Sequence, residues 1–300
     1  MELIDISGKP VPERFAASIE LVAERLSPIP EVLSILLCGS AARGWVDDYS
    51  DLDIHVVCES IPSESARRKA YAGFGPPLAL STLKVTEDFS CDDEFDIHQG
   101  GDRTPVCVDF ETYHSASQWA KRFANIGDLS EEGLHAASLL QDGIIVFDSG
   151  GLLNSLRSKI HPMPDEIRRI LVTRSVDRMT DGYEMECTRK GALRGDIFTF
   201  YHHLTELIAR TARVCLSLNG KYYPGDKNLR EHLSYCDILP DHCIQRLTGI
   251  ISDPDHTSAF QQWLCLAQEV VESVSDFILD DGREVALKEL EWISKPDWRP

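Results

Sequence analysis

The chain has 300 residues, 43% hydrophobic and 26% charged, which excludes a disordered or collagen-like polymer and provides enough apolar surface to bury a core without staples. Asp and Glu number 49 against 30 Lys and Arg, a formal net charge of −19. A field of that sign argues against a grip on long nucleic acid through its phosphates; it leaves room for one nucleotide held by a metal and suits a cationic small-molecule partner.

The first half alternates pattern types. Phe15, Ile19, Val22 and Leu26 recur at helical spacing over 13–26, and Ser27-Pro28 stops the run. Residues 32–38 are a nearly continuous apolar run ending in Gly39-Ser40, the pattern of a buried strand that delivers a turn. Strands are predicted over 51–57, 78–85 and 105–112, the last alternating around Val106, Val108 and Phe110. The stretch 88–103, rich in Asp, Gly and Glu, is predicted as a loop and 115–125 as a helix. A short apolar segment over 143–147 leads into Asp148-Ser149-Gly150-Gly151, and that glycine pair is the expected boundary between domains 1–150 and 151–300.

Beyond it, apolar positions recur every three to four residues over 165–189, 196–218, 241–251 and 258–279, with Leu204, Leu207, Ile208, Thr211 and Val214 forming one stripe. An α+β domain followed by an all-α helical bundle is the expected architecture. The start, Met1-Glu2-Leu3-Ile4-Asp5-Ile6, lacks the basic residues and apolar core of a signal peptide. The nine cysteines include no Cys-x-x-Cys pair, and Cys38, Cys58, Cys107, Cys215 and Cys265 lie among apolar neighbours. Reduced thiols used as small hydrophobes, in a cytoplasmic protein, are the expectation.

The stretch that carries chemistry runs from Leu36 to Ile54. In a strand, Asp51 and Asp53 share one face while Leu52 and Ile54 bury the other. Two neighbouring carboxylates repel, and a divalent cation such as Mg²⁺ removes the conflict. Alone, the tetrad also fits a strand with a solvated acidic face. Upstream, however, Gly39 allows a close backbone turn, Ser40 adds a hydroxyl and an N–H, and Ala41-Ala42 begin a helix whose N-terminus can face an anion. A P-loop is excluded because Trp45-Val46 stands where Lys-Ser/Thr is required, and the dinucleotide fingerprint fails at Ala41. Asp109 is the best third carboxylate, on the strand face that also holds Cys107 and Glu111, ahead of the weaker Asp96 and Asp102.

Gly39-Ser40, the ten-residue gap and Asp51-Leu52-Asp53-Ile54 resemble the signature of the DNA polymerase β-like nucleotidyltransferase superfamily, most closely its small-molecule branch of aminoglycoside and lincosamide nucleotidyltransferases. The resemblance covers about residues 33–57, with Asp109 as an extension; the segment 218–227 is similar to one that follows a long helix in several such proteins. It implies a mixed sheet flanked by helices and a two-metal transfer of a nucleoside monophosphate, AMP from ATP or the equivalent from another NTP, onto a small-molecule hydroxyl. Gly39 and Ser40 would then hold the β- and γ-phosphates, Asp51 and Asp53 the Mg²⁺ (or Mn²⁺) that escorts them, and Asp109 the second ion. Arg43 and Lys227 are accessory phosphate candidates, Glu111 a candidate general base, and Tyr222 and Tyr223 candidate stacking residues. His202, His203 and His232 form no metal spacing, and the seven residues between Arg194 and His202 argue against a ribonuclease. A protein acceptor, as in an AMP-transferring antitoxin-like or regulatory protein, and a decayed nucleotide-sensing module are the alternatives.

Overall fold

The computed structural model describes residues 11–74, 79–80, 90–99, 101–112, 131–274, 276–279, 281–296 and 298. It divides into two units, Met1–His161 and Pro162–Pro300.

The first unit is built on strands β1 (Val32–Leu37), β2 (Leu52–Cys58), β3 (Ala79–Leu80), β4 (Ser90–Gln99), β5 (Asp102–Thr112) and β6 (Ile144–Asp148). They form one sheet in the order β3-β4-β5-β2-β1-β6. β2 and β5 pair in parallel and the other neighbours are antiparallel, so the sheet is mixed. Helix α1 (Glu13–Leu26) buries Phe15, Ile19, Val22, Ala23 and Leu26, the stripe expected from their spacing. These join one core with Leu52, Ile54, Val56, Val106, Val108 and Phe110. Helices α2 (Gly39–Arg43), α3 (Glu64–Ala70), α4 (Glu131–Asp142) and α5 (Leu152–Arg157) complete the described part of the unit.

α4 and α5 lie over the opposite sheet face, where Ala136, Leu139, Leu140, Leu153 and Leu156 meet Leu36 and Val57 around a small cavity. Arg157 donates to the carbonyls of Leu140 (2.7 Å) and Gly143 (2.6 Å), satisfying the orphan acceptors at the end of α4. Asp148 accepts from the backbone N–H of Leu153 (3.0 Å) and Asn154 (3.1 Å), so the start of α5 is tied to β6. The glycine pair at 150–151 is therefore a bend inside the first unit, and the division falls at 161/162.

The stretch 88–103 is another correction. Residues 90–99 are a strand paired with β5 from Ser90↔Glu111 to Gln99↔Asp102. Cys91, Asp93, Phe95 and Ile97 are buried while Asp92, Glu94 and His98 are exposed, a period of two broken at the buried Asp96 and hidden by the abundance of acids. Of the expected strand over 78–85 only Ala79–Leu80 is described, and the expected helix over 115–125 lies outside the described residues.

The second unit is helical: α6 (Asp165–Met179), α7 (Gly182–Arg194), α8 (Ile197–Leu218), α9 (Leu229–Ser234), α10 (Cys243–Ser252), α11 (His256–Ser273) and α12 (Gly282–Ser294). Its core holds Phe200, Leu204, Leu207, Val214, Phe260, Trp263 and Leu266, and the Trp263 indole donates to Thr211 Oγ1 at 3.1 Å. The helical periodicity over 165–189 is carried by two helices that part at Thr180, because Asp181 accepts from Tyr183 N (2.9 Å) and caps the second. α12 was not anticipated. The architecture is α+β, a mixed sheet with helices together with an all-helical unit.

Among the described residues no helix is long and apolar enough to cross a membrane. All nine cysteines are free, and Cys265, expected among apolar residues, is exposed.

Candidate active site

β1 and β2 are antiparallel neighbours, and the chain between them forms α2 and a short loop. The bend that opens α2 is fixed by the Cys38 N–H donating to the Asp53 carbonyl at 2.8 Å. Gly39 has φ +65°, a conformation that L side chains rarely adopt. A Cβ placed on it would stand 1.9 Å from Asp53 Oδ2. The strand's carboxylate thus occupies the space a side chain at 39 would need, and only glycine lets the two approach. Cys38, the residue before α2, makes no side-chain cap to its first turn, where a helix leaves its N–H groups without intrahelical acceptors. α2 has only five residues and ends at Gly44 in the left-handed region. The expected helix N-terminus is therefore too short to contribute a macrodipole, and the Gly39-Ser40 bend itself is what remains of the cradle.

Asp51 differs from expectation. β2 begins at Leu52, and Asp51 is exposed just ahead of it, while Asp53 is half-buried inside the strand. The strand thus holds one carboxylate of the pair at the bend.

Parallel pairing of β2 with β5 sets Asp53 opposite Cys107, His55 opposite Asp109 and Val57 opposite Glu111. Antiparallel pairing of β4 with β5 sets Asp92 opposite Asp109. Asp53, Asp109, Asp92, His55 and Glu111 consequently share one sheet face. Burial raises the Asp109 carboxyl above the ordinary carboxylate range; His55 pulls it back, and the charge and hydrogen bond of Asp92 push it up again. The Cys107 thiol donates to Asp109 Oδ1 at 3.6 Å and is itself pushed up to about 12, by burial first and then by Asp109. Burial, followed by the charge of Asp53, drives the Cys38 thiol far up as well, so neither thiol is a nucleophile near neutrality.

His55 and Asp92 were not anticipated. His55 Nε2 lies 3.0 Å from Glu111 Oε2. Burial alone would lower the imidazole, but the hydrogen bond and charge of Glu111, with Asp109 and Asp92, outweigh it and leave the imidazole raised. Glu111 is therefore engaged rather than free as a base. The signal for both lay in the strand alternation, which becomes informative only once the register is known.

Arg43 is engaged too. Its Nε lies 2.9 Å from Asp142 Oδ2, its Nη1 donates to the Gly39 carbonyl at 3.1 Å, and its guanidinium stacks 5.7 Å from the Trp45 ring centre. It braces the bend from behind rather than offering itself to a phosphate. Of the weaker acids, Asp96 pairs with Arg103 Nε at 2.8 Å and Asp102 is exposed at the hairpin end. In the second unit Lys227 is exposed in the turn before α9, whereas Tyr222 and Tyr223 are buried. The Tyr223 hydroxyl is bonded to Asp226 and its ring is covered by Arg213, so neither tyrosine is presented for stacking.

Among the described residues, no three His, Cys, Asp or Glu side chains converge as a closed metal-binding group. Mg²⁺ that travels with nucleotide phosphates needs no such cage: one or two carboxylates complete its shell beside phosphate and water oxygens. Asp53 at the bend and Asp109 on the adjacent strand are donors of that kind.

Residues 129–229 match the family described as "Domain of unknown function (DUF4037)", a span that crosses the division between the units. Among solved structures, the chain is similar to a nucleotidyltransferase-like protein from Exiguobacterium sibiricum 255-15, at 14% identity and a TM-score of 0.42 over 87% of this chain and 77% of that one. No curated protein matches.

Proposed function

We propose that the first unit is a metal-dependent nucleotidyltransferase that moves a nucleoside monophosphate, AMP from ATP in the first instance, onto a hydroxyl of a small molecule and releases pyrophosphate. The contact of Gly39 with Asp53 carries this reading. A left-handed residue that excludes any side chain in order to seat a carboxylate in a bend breaks the local rules of folding, and such breaks concentrate at functional sites.

Gly39 and Ser40 would hold the β- and γ-phosphates through backbone N–H groups and the Ser40 hydroxyl. Asp51 and Asp53 would hold Mg²⁺ or Mn²⁺, with Asp109 at a second position. What a bound cation adds is charge neutralisation at the leaving pyrophosphate and a more acidic acceptor hydroxyl. Arg43 keeps the bend in shape by tying the Gly39 carbonyl to Asp142. His55 keeps Glu111 in place and offsets part of the negative charge around Asp109. Positioning and electrostatics of this kind account for most of the acceleration in phosphoryl chemistry. The net charge of −19 supports a cationic acceptor such as an aminoglycoside, and the absence of a long apolar helix among the described residues suits a cytoplasmic setting.

Incubation with ATP, Mg²⁺ and a panel of hydroxyl-bearing acceptors should release pyrophosphate. Asp53→Asn should lower that release roughly a hundredfold or more. Undiminished release by Asp53→Asn would refute the assignment. A nucleotide-sensing role is the second reading, favoured by the exposure of Asp51 and by the open ligand set. Tight ATP binding with no release across the whole panel would select it.

A further inference from the structure

Between the bend and β2 the chain presents one aromatic residue that nothing in the described structure covers. Tyr49 is 94% exposed, the highest value of any large apolar side chain among the described residues. A single exposed aromatic is ordinary on a protein surface. This one stands on a loop whose polar groups close a hydrogen-bonded turn. The Asp47 carboxylate accepts from the Tyr49 N–H at 2.9 Å and from the Ser50 hydroxyl at 2.9 Å. Ser50 Oγ in turn accepts from the Asp47 N–H at 2.9 Å, and the Ser50 N–H donates to the Asp47 carbonyl at 3.3 Å. At the loop's other end the Trp45 N–H donates to the Ser40 carbonyl at 3.0 Å, so the loop is anchored on the bend itself. Two residues past Tyr49 comes Asp51, which puts their Cα atoms at most about 7 Å apart.

A ring held out in water on a hydrogen-bonded turn can stack on a planar ligand at a smaller ordering cost than one on an unbonded loop. Its place, anchored to the bend and beside the first carboxylate, fits the ring system of a nucleotide whose phosphates lie at Gly39-Ser40. We propose that Tyr49 is the base-stacking residue of the nucleotide site, an inference that rests on the nucleotidyltransferase reading. Stacking engages the π-face that every nucleobase has, so the contact raises affinity for nucleotides as a class and does not choose among bases.

The test uses the full-length protein and two probes, Mg·ATP and Mg·tripolyphosphate, which share the phosphate chain and differ in the base. Calorimetry with Tyr49→Ala should show Mg·ATP bound roughly tenfold more weakly and Mg·tripolyphosphate bound as in the parent, while Tyr49→Phe and Tyr49→Trp keep parental affinity for both. Unchanged Mg·ATP affinity in Tyr49→Ala would overturn the stacking role and leave the nucleotidyltransferase reading intact. Equal weakening of both probes would overturn it as well, by showing that the loop rather than the ring had been damaged. If the parent protein bound neither probe, the nucleotidyltransferase reading would fall and the stacking role with it.

Discussion

The two faces of the same sheet treat their acids in opposite ways. On the core face Asp93 is fully buried and fully compensated: Arg67 and Tyr71 both bond to its carboxylate, the latter at 2.9 Å, and the Arg67 guanidinium lies over the Phe110 ring. On the other face Asp53, Asp92 and Asp109 lie around one imidazole, and Asp109 is pushed up, by burial first and then by the charge and hydrogen bond of Asp92. A carboxylate kept for structure receives its partners from the chain. On the proposed reading, the acids of the other face await a cation that would offset the cost of gathering them there.

That contrast can be broken by making the same substitution on each face. Asp93→Asn removes the charge that pairs with the buried Arg67 and should cost about 3–5 kcal/mol. Asp53→Asn keeps the side chain's shape at the bend and should cost less stability than Asp93→Asn while removing the proposed activity. Urea unfolding of both variants is the measurement, and similar losses for the two would erase the distinction between the faces.

The next effect belongs to Gly39. Gly39→Ala meets both the left-handed backbone and the Asp53 carboxylate, and should cost about 2–4 kcal/mol. Removing the carboxylate in Gly39→Ala/Asp53→Ala should recover the steric part and leave about 1–2 kcal/mol of backbone strain. Additive losses in the double variant would show that the two residues are not in contact.

The smallest effect is a titration. In metal-free protein the raised His55 imidazole contributes stability that is fully present below its unfolded value of about 6.5 and is lost as pH rises through the folded midpoint. Glu111→Gln removes the main favourable partner and should move the midpoint of the His55 ring protons downward by NMR. A midpoint that stayed in place would assign the shift to Asp109 and Asp92 instead.

The sequence is legible where one residue's surroundings are local. The stripe from Phe15 to Leu26, the apolar run into Gly39-Ser40 and the helical periodicity after residue 164 all reflect patterns set within a few residues, and each appears in the structure. β4 reads as a loop in sequence because Asp92, Asp93, Glu94 and Asp96 obscure its alternation; Asp93 is buried only because Arg67 and Tyr71 arrive from α3 and the turn after it. The site divides the same way. Gly39 and Asp53 were visible as a motif, whereas His55 and Asp92 enter through strand register, and Arg43 is claimed by Asp142 from the distant α4. Long-range pairing decides such positions, and no local window contains it.

The most direct test of a triphosphate seated at the Gly39-Ser40 bend beside Asp53 is calorimetric titration of ATP into the parent protein and Asp53→Asn, each with Mg²⁺ and with EDTA. The expected result is binding by the parent that requires Mg²⁺ and is lost in Asp53→Asn. Binding of equal strength without the metal, or in Asp53→Asn, would contradict it.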